Sequence, residues 1–483
     1  VKHFVVAVTI LLLASQACRA RPNIILVMPD DLGYGDYSCL GSPVMKTPNV
    51  DVFWKQSVRL TDFHVSPTCS PTRSALMSGR HEFKNGVTHT IFERERMSLK
   101  TITIAQVLKS AGYATGIFGK WHLGDEAPYQ PDQRGFDEVF IHGGGGIGQT
   151  FPGSCGDVPG NMYMNPTLLH NGTFEKTHGY CTDLFFGQAI KWMDSRRKAD
   201  SPFFAYVPLN VAHEPLQCPD ENYQHYAGKV PDKVARFYGM IETIDRNFGL
   251  LLDKLKEWGI EDNTLVIFIG TDNGGYGPAC GIFNAGMRGG KATPYQGGTR
   301  APCFCRWPAK FQGGRDVPAL TAHIDIFPTL AEIAGAPLTG DLADQVEGRS
   351  LLPLLDDPQA SWPDRFLVTH VGRWPRGKAA EAKFDDCSIR DARFTLVNNS
   401  ELYDLKADPG ESRNIIAGYP EQVAKMRAAY DKWWNDVQPL LVNESAVGPK
   451  INPFKERYWK QFGGGPTDQE LKEMDPTRAT LKR

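Results

Sequence analysis

The chain carries almost no net charge: 53 Lys and Arg stand against 55 Asp and Glu, a formal −2 over 483 residues. That balance argues against nucleic acid or an anionic membrane surface as the main partner, since either would demand a broad basic face. No internal repeat or low-complexity tract is present, which excludes solenoid architectures. Long hydrophobic runs are missing too. The most apolar stretch, Phe4 to Ala14, falls short of the ~20 residues a membrane-spanning helix needs. Preceded by Lys2 and His3 and followed by the small residues of "SQACRA", it reads as an export signal over residues 1–20. The expected destination is a periplasm or the exterior, and the opening valine fits a bacterial alternative start codon. Cys18 offers lipid anchoring as the alternative, although "SQA" matches that signal poorly. Zinc-type cysteine spacing is also absent. The ten cysteines are irregularly placed, and their spacing sets no disulfide pairing. The one close pair, Cys303 and Cys305 in "APCFCRWP", alternates as it would on one face of a strand.

What is present is ordinary globular material, 41% hydrophobic and 22% charged, enough for one large domain and a smaller one. Forty-eight glycines and 34 prolines suit many connecting loops. Apolar strands and amphipathic helices alternate. "NIILVMPDD" reads as a strand, "TITIAQVLKSAGY" as a helix, "ATGIFGKWHLG" as a strand and "DLFFGQAIKWMDSRR" as a helix. "PFFAYVPLNVAH", the long amphipathic "KVARFYGMIETIDRNFGLLLDKLKEWGI" and the strand "TLVIFIGTDNGG" continue the series. This order predicts an α/β fold whose large, mostly parallel sheet is sandwiched by helices. Asp30, Asp31, His122, His213, Asp272 and Asn273 each follow an apolar strand at its carboxyl end, where such folds place their sites. Past "EGRSLLPLL" the strands shorten, so a boundary is expected near residue 360. Residues 21–360 would form the main domain, 361–462 a smaller α+β unit and 463–483 a polar tail.

"SPTCSPTRSALMSGR" raises a separate question. Pro71 and Thr72 mark a helix start, which puts Cys69 at the positive end of a helix dipole with Arg73 one turn along. Both features favour a reactive, anionic position. A buried small hydrophobe, half of a disulfide or a metal ligand are the other readings of an isolated cysteine.

The run "CSPTRSALMSGR" resembles the signature of type I sulfatases, in which Cys-x-Pro-x-Arg directs oxidation of the cysteine to formylglycine. "NIILVMPDDLGYGD", "GKWHLG", "TDNGG", "RGGKATPYQGGTRAP" and "ELYDLKADPGESRNI" follow the family order, so the resemblance covers nearly the whole mature chain. It is nearest to arylsulfatases and N-acetylgalactosamine-6-sulfatase-like enzymes. The implied fold is alkaline-phosphatase-like, with an antiparallel sheet in the smaller C-terminal domain. The implied reaction is hydrolysis of a sulfate ester by an exported enzyme, with a sulfated carbohydrate as the expected substrate. Such esters resist attack because the anion repels nucleophiles and the alkoxide leaves poorly. A hydrated aldehyde at position 69 supplies one oxygen for attack and another to expel sulfate. By the resemblance, Asp30, Asp31, Asp272 and Asn273 hold one cation together with residue 69. An all-oxygen set of this kind suits calcium, with magnesium second. Arg73 and Lys120 would position these groups, His122 would take the second hydroxyl's proton, and His213 and Lys291 would contact sulfate and assist the leaving oxygen. A formylglycine-generating enzyme or an anaerobic sulfatase-maturating enzyme would be the partner in biogenesis.

His89, His142, Arg134, His370 and Arg373 are further candidates for the pocket wall, each with a structural role as the competing reading. "HGGGGIG", residues 142–148, either lets a loop approach a sugar or serves as a connector. Two other functions are consistent with the scaffold: a phosphoester hydrolase of the same superfamily, and an inactive binder of sulfated glycans. The first would usually want two metals, and the chain shows one oxygen-rich site. The second has no need to keep Lys120, His122, His213 and Lys291 together.

Overall fold

The computed structural model describes residues 21–473. The expected leader over 1–20, Cys18 with it, and the end of the expected tail from 474 lie outside the described residues. A ten-stranded sheet forms the centre of the larger domain. Its middle is five parallel strands: β1 (Asn23–Met28), β2 (Ala114–Lys120), β3 (Glu138–His142), β4 (Phe203–Pro208) and β5 (Thr264–Ile269), in the order β5-β1-β4-β2-β3. Ile25 of β1 lies opposite Ala205 of β4 and Val266 of β5, so the carboxyl ends of the strands open on one side. Cys303–Arg306 runs antiparallel to β5, and Thr167–His170 runs antiparallel to β3.

Period-2 alternation divides each strand between two cores. Ile24, Leu26 and Met28 face a layer that includes Leu76 and Met77 of helix α1 (Cys69–Ser78). Ile25 and Val27 face the other layer. There they meet Phe185 and Phe186 of α2 (Cys181–Lys198) and Ile241, Phe248 and Leu251 of α3 (Asp232–Glu257). Covering both faces buries every residue of β4 and β5, which is why these strands read as unbroken apolar runs. The α/β sandwich expected from the alternation is the observed architecture. Among the described residues no helix is long and apolar enough to cross a membrane.

Two local differences from the sequence reading stand out. β3 went unread because "VFI" is a short apolar run beside "HGGGG". Helix α1 begins at Cys69 rather than at Pro71, and Pro71 sits in its first turn, where a missing N–H costs nothing.

A separate four-stranded antiparallel sheet, Leu367–His370, Cys387–Arg390, Phe394–Val397 and Glu401–Asp404, packs beneath α4 (Pro420–Val437). Its core centres on Trp374, which is fully buried against Phe83, His370 and Trp434 and donates its indole N–H to Glu444 at 2.6 Å. Phe83 comes from the larger domain, so this aromatic cluster joins the two. Trp374→Ala is expected to cost about 3–5 kcal/mol, measurable by denaturant unfolding. A loss under ~1 kcal/mol would contradict this packing account. Of the expected polar tail, Asp468–Glu473 forms a short exposed helix.

Candidate active site

Loops leaving the carboxyl ends of β1 and β5 bring Asp30, Asp31, Asp272 and Asn273 together over the N-terminus of α1. Cys69 Sγ and one carboxylate oxygen each from Asp30 and Asp272 lie within 4.8 Å of one another, all buried. Arg73, one turn along α1, donates Nε to Asp272 Oδ2 at 2.8 Å and Nη1 to the Lys120 carbonyl at 2.7 Å. Lys120, at the end of β2, pairs with Asp30 Oδ2 at 2.5 Å. Asn273 Nδ2 donates to Asp31 Oδ1 at 3.0 Å and Asp272 Oδ1 at 2.9 Å, which fixes the side-chain amide.

That leaves Asp30 Oδ1 and Asn273 Oδ1 buried with no hydrogen-bond partner. Unpaired buried acceptors are costly, and both are hard oxygens in one carboxylate-rich nest. The residues therefore fit a hard, oxygen-seeking cation such as calcium. Burial first, then the neighbouring Asp272, pushes the Asp30 carboxyl up, with Lys120 opposing. Burial would raise Asp31 as well, but Lys291 and His213 outweigh it and hold the group ionised. Burial alone would lower Lys120, yet the Asp30 carboxylate outweighs that effect and keeps the ammonium charged.

His122 follows β2 in the left-handed region, φ 59°, and Asp31 follows β1 at φ 65°. Neither is glycine, and such backbone strain gathers where side chains must be aimed. His122 Nε2 lies 2.7 Å from the Thr90 carbonyl. A carbonyl only accepts, so Nε2 carries the hydrogen and Nδ1 keeps a lone pair, buried and unpartnered. Burial, then Lys120, holds this imidazole well below its usual pKa, so it is a neutral base. His213 donates Nδ1 to the Glu214 carbonyl at 2.6 Å and stands 4.0 Å from Asp31. Burial and Lys291 depress it to about 3. Lys291 Nζ contacts Asp31 at 2.6 Å. The side chains of His213 and Lys291 are 13% and 24% exposed, whereas Arg73 and Lys120 are sealed, so the first two face the entering ligand.

A cleft of about 460 Å³ opens above this floor, lined by Cys69, His122, His213 and Lys291 together with His89, Thr90, Gln149 and Arg373. The glycine run acts as a close-approach loop: a Cβ at Gly145 would stand 2.8 Å from the His122 ring. Among the other candidates, His89 and Arg373 reach the cleft wall. Arg134 instead donates to the Ser98 and Thr101 carbonyls, and His370 donates to the Ala382 carbonyl within the aromatic cluster. His142, at the end of β3, bonds the Gly143 carbonyl at 2.8 Å. Thr90 and Gln149 carried no signal in the sequence. Thr90 acts through its backbone carbonyl, and Gln149 reaches His213 only because the glycine loop folds back.

A nucleophile position ringed by positive charge, with a neutral base poised beside it, suits an enzyme that hydrolyses an anionic ester. Within that class the chain belongs to the sulfatase family, whose model matches residues 22–336. A second model, N-sulphoglucosamine sulphohydrolase, C-terminal, matches residues 290–435. Arylsulfatase A of Homo sapiens is 31% identical over 449 residues, 84% of this chain and 86% of its own. Arylsulfatase J of Mus musculus is 30% identical over 97% of this chain and 83% of its own. Among solved structures, Ps i-CgsB in complex with k-i-k-neocarrahexaose superposes with a TM-score of 0.77 at 26% identity, covering 93% of this chain and 99% of that one. The protein is a sulfuric ester hydrolase with the alkaline-phosphatase-like fold.

Proposed function

We propose that this is an exported carbohydrate sulfatase that uses one calcium ion and a formylglycine made from Cys69 by a maturation enzyme. The observation that carries the reading is the placement of Cys69 at the first position of α1, against a nest of buried oxygens two of which lack partners. Formylglycine, as its hydrate, would supply an oxygen nucleophile for sulfur and a second hydroxyl whose deprotonation would expel sulfate and restore the aldehyde. Asp30, Asp31, Asp272 and Asn273 would hold the ion, which lowers the pKa of an attacking hydroxyl and offsets sulfate charge. Arg73 and Lys120 pin the carboxylates. His122 Nδ1 accepts the proton of the second hydroxyl, and its bond to Thr90 keeps that lone pair available. Lys291 binds sulfate oxygens, His213 joins it once Nε2 takes up a proton beside the bound anion, and one of the two protonates the departing sugar oxygen. A carbohydrate substrate is supported by the oligosaccharide seen with Ps i-CgsB. Sulfated galactose or N-acetylgalactosamine units are the first to test.

The experiment is release of sulfate from defined sulfated galactan oligosaccharides, run beside matched phosphate esters. Sulfate release should dominate, and faster phosphate release would overturn the assignment. His122→Ala should lower kcat by about 10²–10⁴-fold. Because the imidazole is depressed, its neutral form persists below pH ~6.5, the ordinary histidine range. The acid limb of kcat/KM should therefore begin well under that value, and a limb centred near 6.5 would contradict the buried-base assignment.

A further inference from the structure

One wall of the cleft is not accounted for by the sulfate site. It comes from the smaller domain, at Val371, Gly372 and Arg373, and faces His89 and Thr90 of the larger one. Arg373 is a cation without a counter-ion: among the described residues its guanidinium makes one hydrogen bond, Nη2 to Thr90 Oγ1 at 3.2 Å, and its Nε is buried without a partner. Among those residues it forms no ion pair within 4.0 Å, with Asp386 of the cleft lining or any other carboxylate; the negative charge it senses comes from Asp31 and position 69 across the cleft. A half-buried guanidinium left this way, its Nε sealed from water, carries a desolvation cost that a bound anion would offset.

The backbone holds it there deliberately. Arg373 has φ 62°, unusual for a residue with a Cβ, and its N–H donates to the Thr88 carbonyl at 2.9 Å. Gly372 has φ 67°, and a Cβ there would stand 2.1 Å from the same Thr88 oxygen. The close approach therefore requires glycine, and it locks the smaller domain's loop against the segment that carries His89 and Thr90. His89 Nδ1 accepts from the Thr90 and Ile91 amides at 2.8 and 3.2 Å, so Nε2 carries the hydrogen and is a donor. Burial, then Arg373, keeps that ring neutral. The wall thus offers a cation without an ion-pair partner and a neutral donor, on the side of the cleft that the smaller domain supplies.

We propose that Arg373, with His89 and the Thr90 hydroxyl, forms a second anion subsite that takes a further acidic group, a sulfate or a carboxylate, on the same saccharide. The proposal rests on the cleft being a sulfate-ester site. It makes Arg373 a specificity-determining residue, and the smaller domain the part of the molecule that reads substrate charge. The guanidinium fork binds either oxyanion in the same two-pronged way.

The test compares kcat/KM on three saccharides of the same backbone: one singly sulfated, one with a second sulfate, and one with a neighbouring uronic carboxylate. The wild-type enzyme should prefer at least one doubly charged substrate by about 10-fold or more, and which arm wins identifies the group. Arg373→Gln should collapse that ratio, with the loss entering through KM, while Arg373→Lys keeps part of it and guards against a folding defect. Equal ratios in wild type and Arg373→Gln, or no preference in the wild type, overturn the subsite. Absence of sulfate release from all three substrates would instead defeat the activity reading. In that case calorimetric binding of the disulfated saccharide to wild type and Arg373→Gln decides the subsite, and equal affinities count against it.

Discussion

Cys69→Ala is expected to lower sulfate release by at least about 10⁴-fold, the scale on which removal of a nucleophile usually registers. The fold should barely notice. The side chain is small, its sulfur serves no packing purpose that alanine cannot meet at the start of a helix, and alanine is the best helix former. The melting temperature should stay within a few degrees of wild type while turnover vanishes. Each alternative role for a buried cysteine predicts the reverse pattern. A packing residue would trade stability with little effect on rate, and among the described residues all nine cysteines are free, so no disulfide is lost. A Cys69→Ala enzyme within tenfold of wild type would remove residue 69 from the chemistry.

Removal of the cation should have an effect of similar size. Asp30, Asp31 and Asp272 crowd one buried nest, and Arg73, Lys120 and Lys291 meet only part of their acceptor capacity. Chelation should cut kcat/KM by about 10³-fold or more, since the ion would otherwise stabilise several kcal/mol of charge at the reacting centre. Calcium should restore the rate, and magnesium less well, because magnesium demands a tighter octahedron and gives up water reluctantly. A second readout does not depend on turnover: calcium should raise the melting temperature of the chelated protein, as any ligand of the native state does. Asp272→Asn should abolish that rise. Indifference of both rate and melting temperature to chelation would count against the site.

Much of this was legible in the sequence because the physics is local. An apolar run ending in "DD" or "TDN" places carboxylates at a strand's carboxyl end in any parallel sheet, and the strands β1, β2, β4 and β5 fell where periodicity put them. Cys69 and Arg73 lie one turn apart on a helix, so their relation is also local. What escaped reading depends on contacts distant in sequence. The Thr90 carbonyl sets the His122 tautomer across 32 residues, and a carbonyl has no signature because every residue carries one. Arg373 and His370 were indistinguishable as isolated basic residues. One stands against the cleft and the other inside an aromatic core, and only the packing of the smaller domain separates them. The glycines of 142–148 showed that a close approach was permitted, but not that the His122 ring was what they approached.

The most direct test is mass spectrometry of the peptide spanning residues 66–80, taken from active protein made in a host that matures sulfatases. The account predicts that the thiol of residue 69 has been replaced by an aldehyde, in a fraction that tracks specific activity across preparations. Fully active protein with an unmodified cysteine at that position would contradict it.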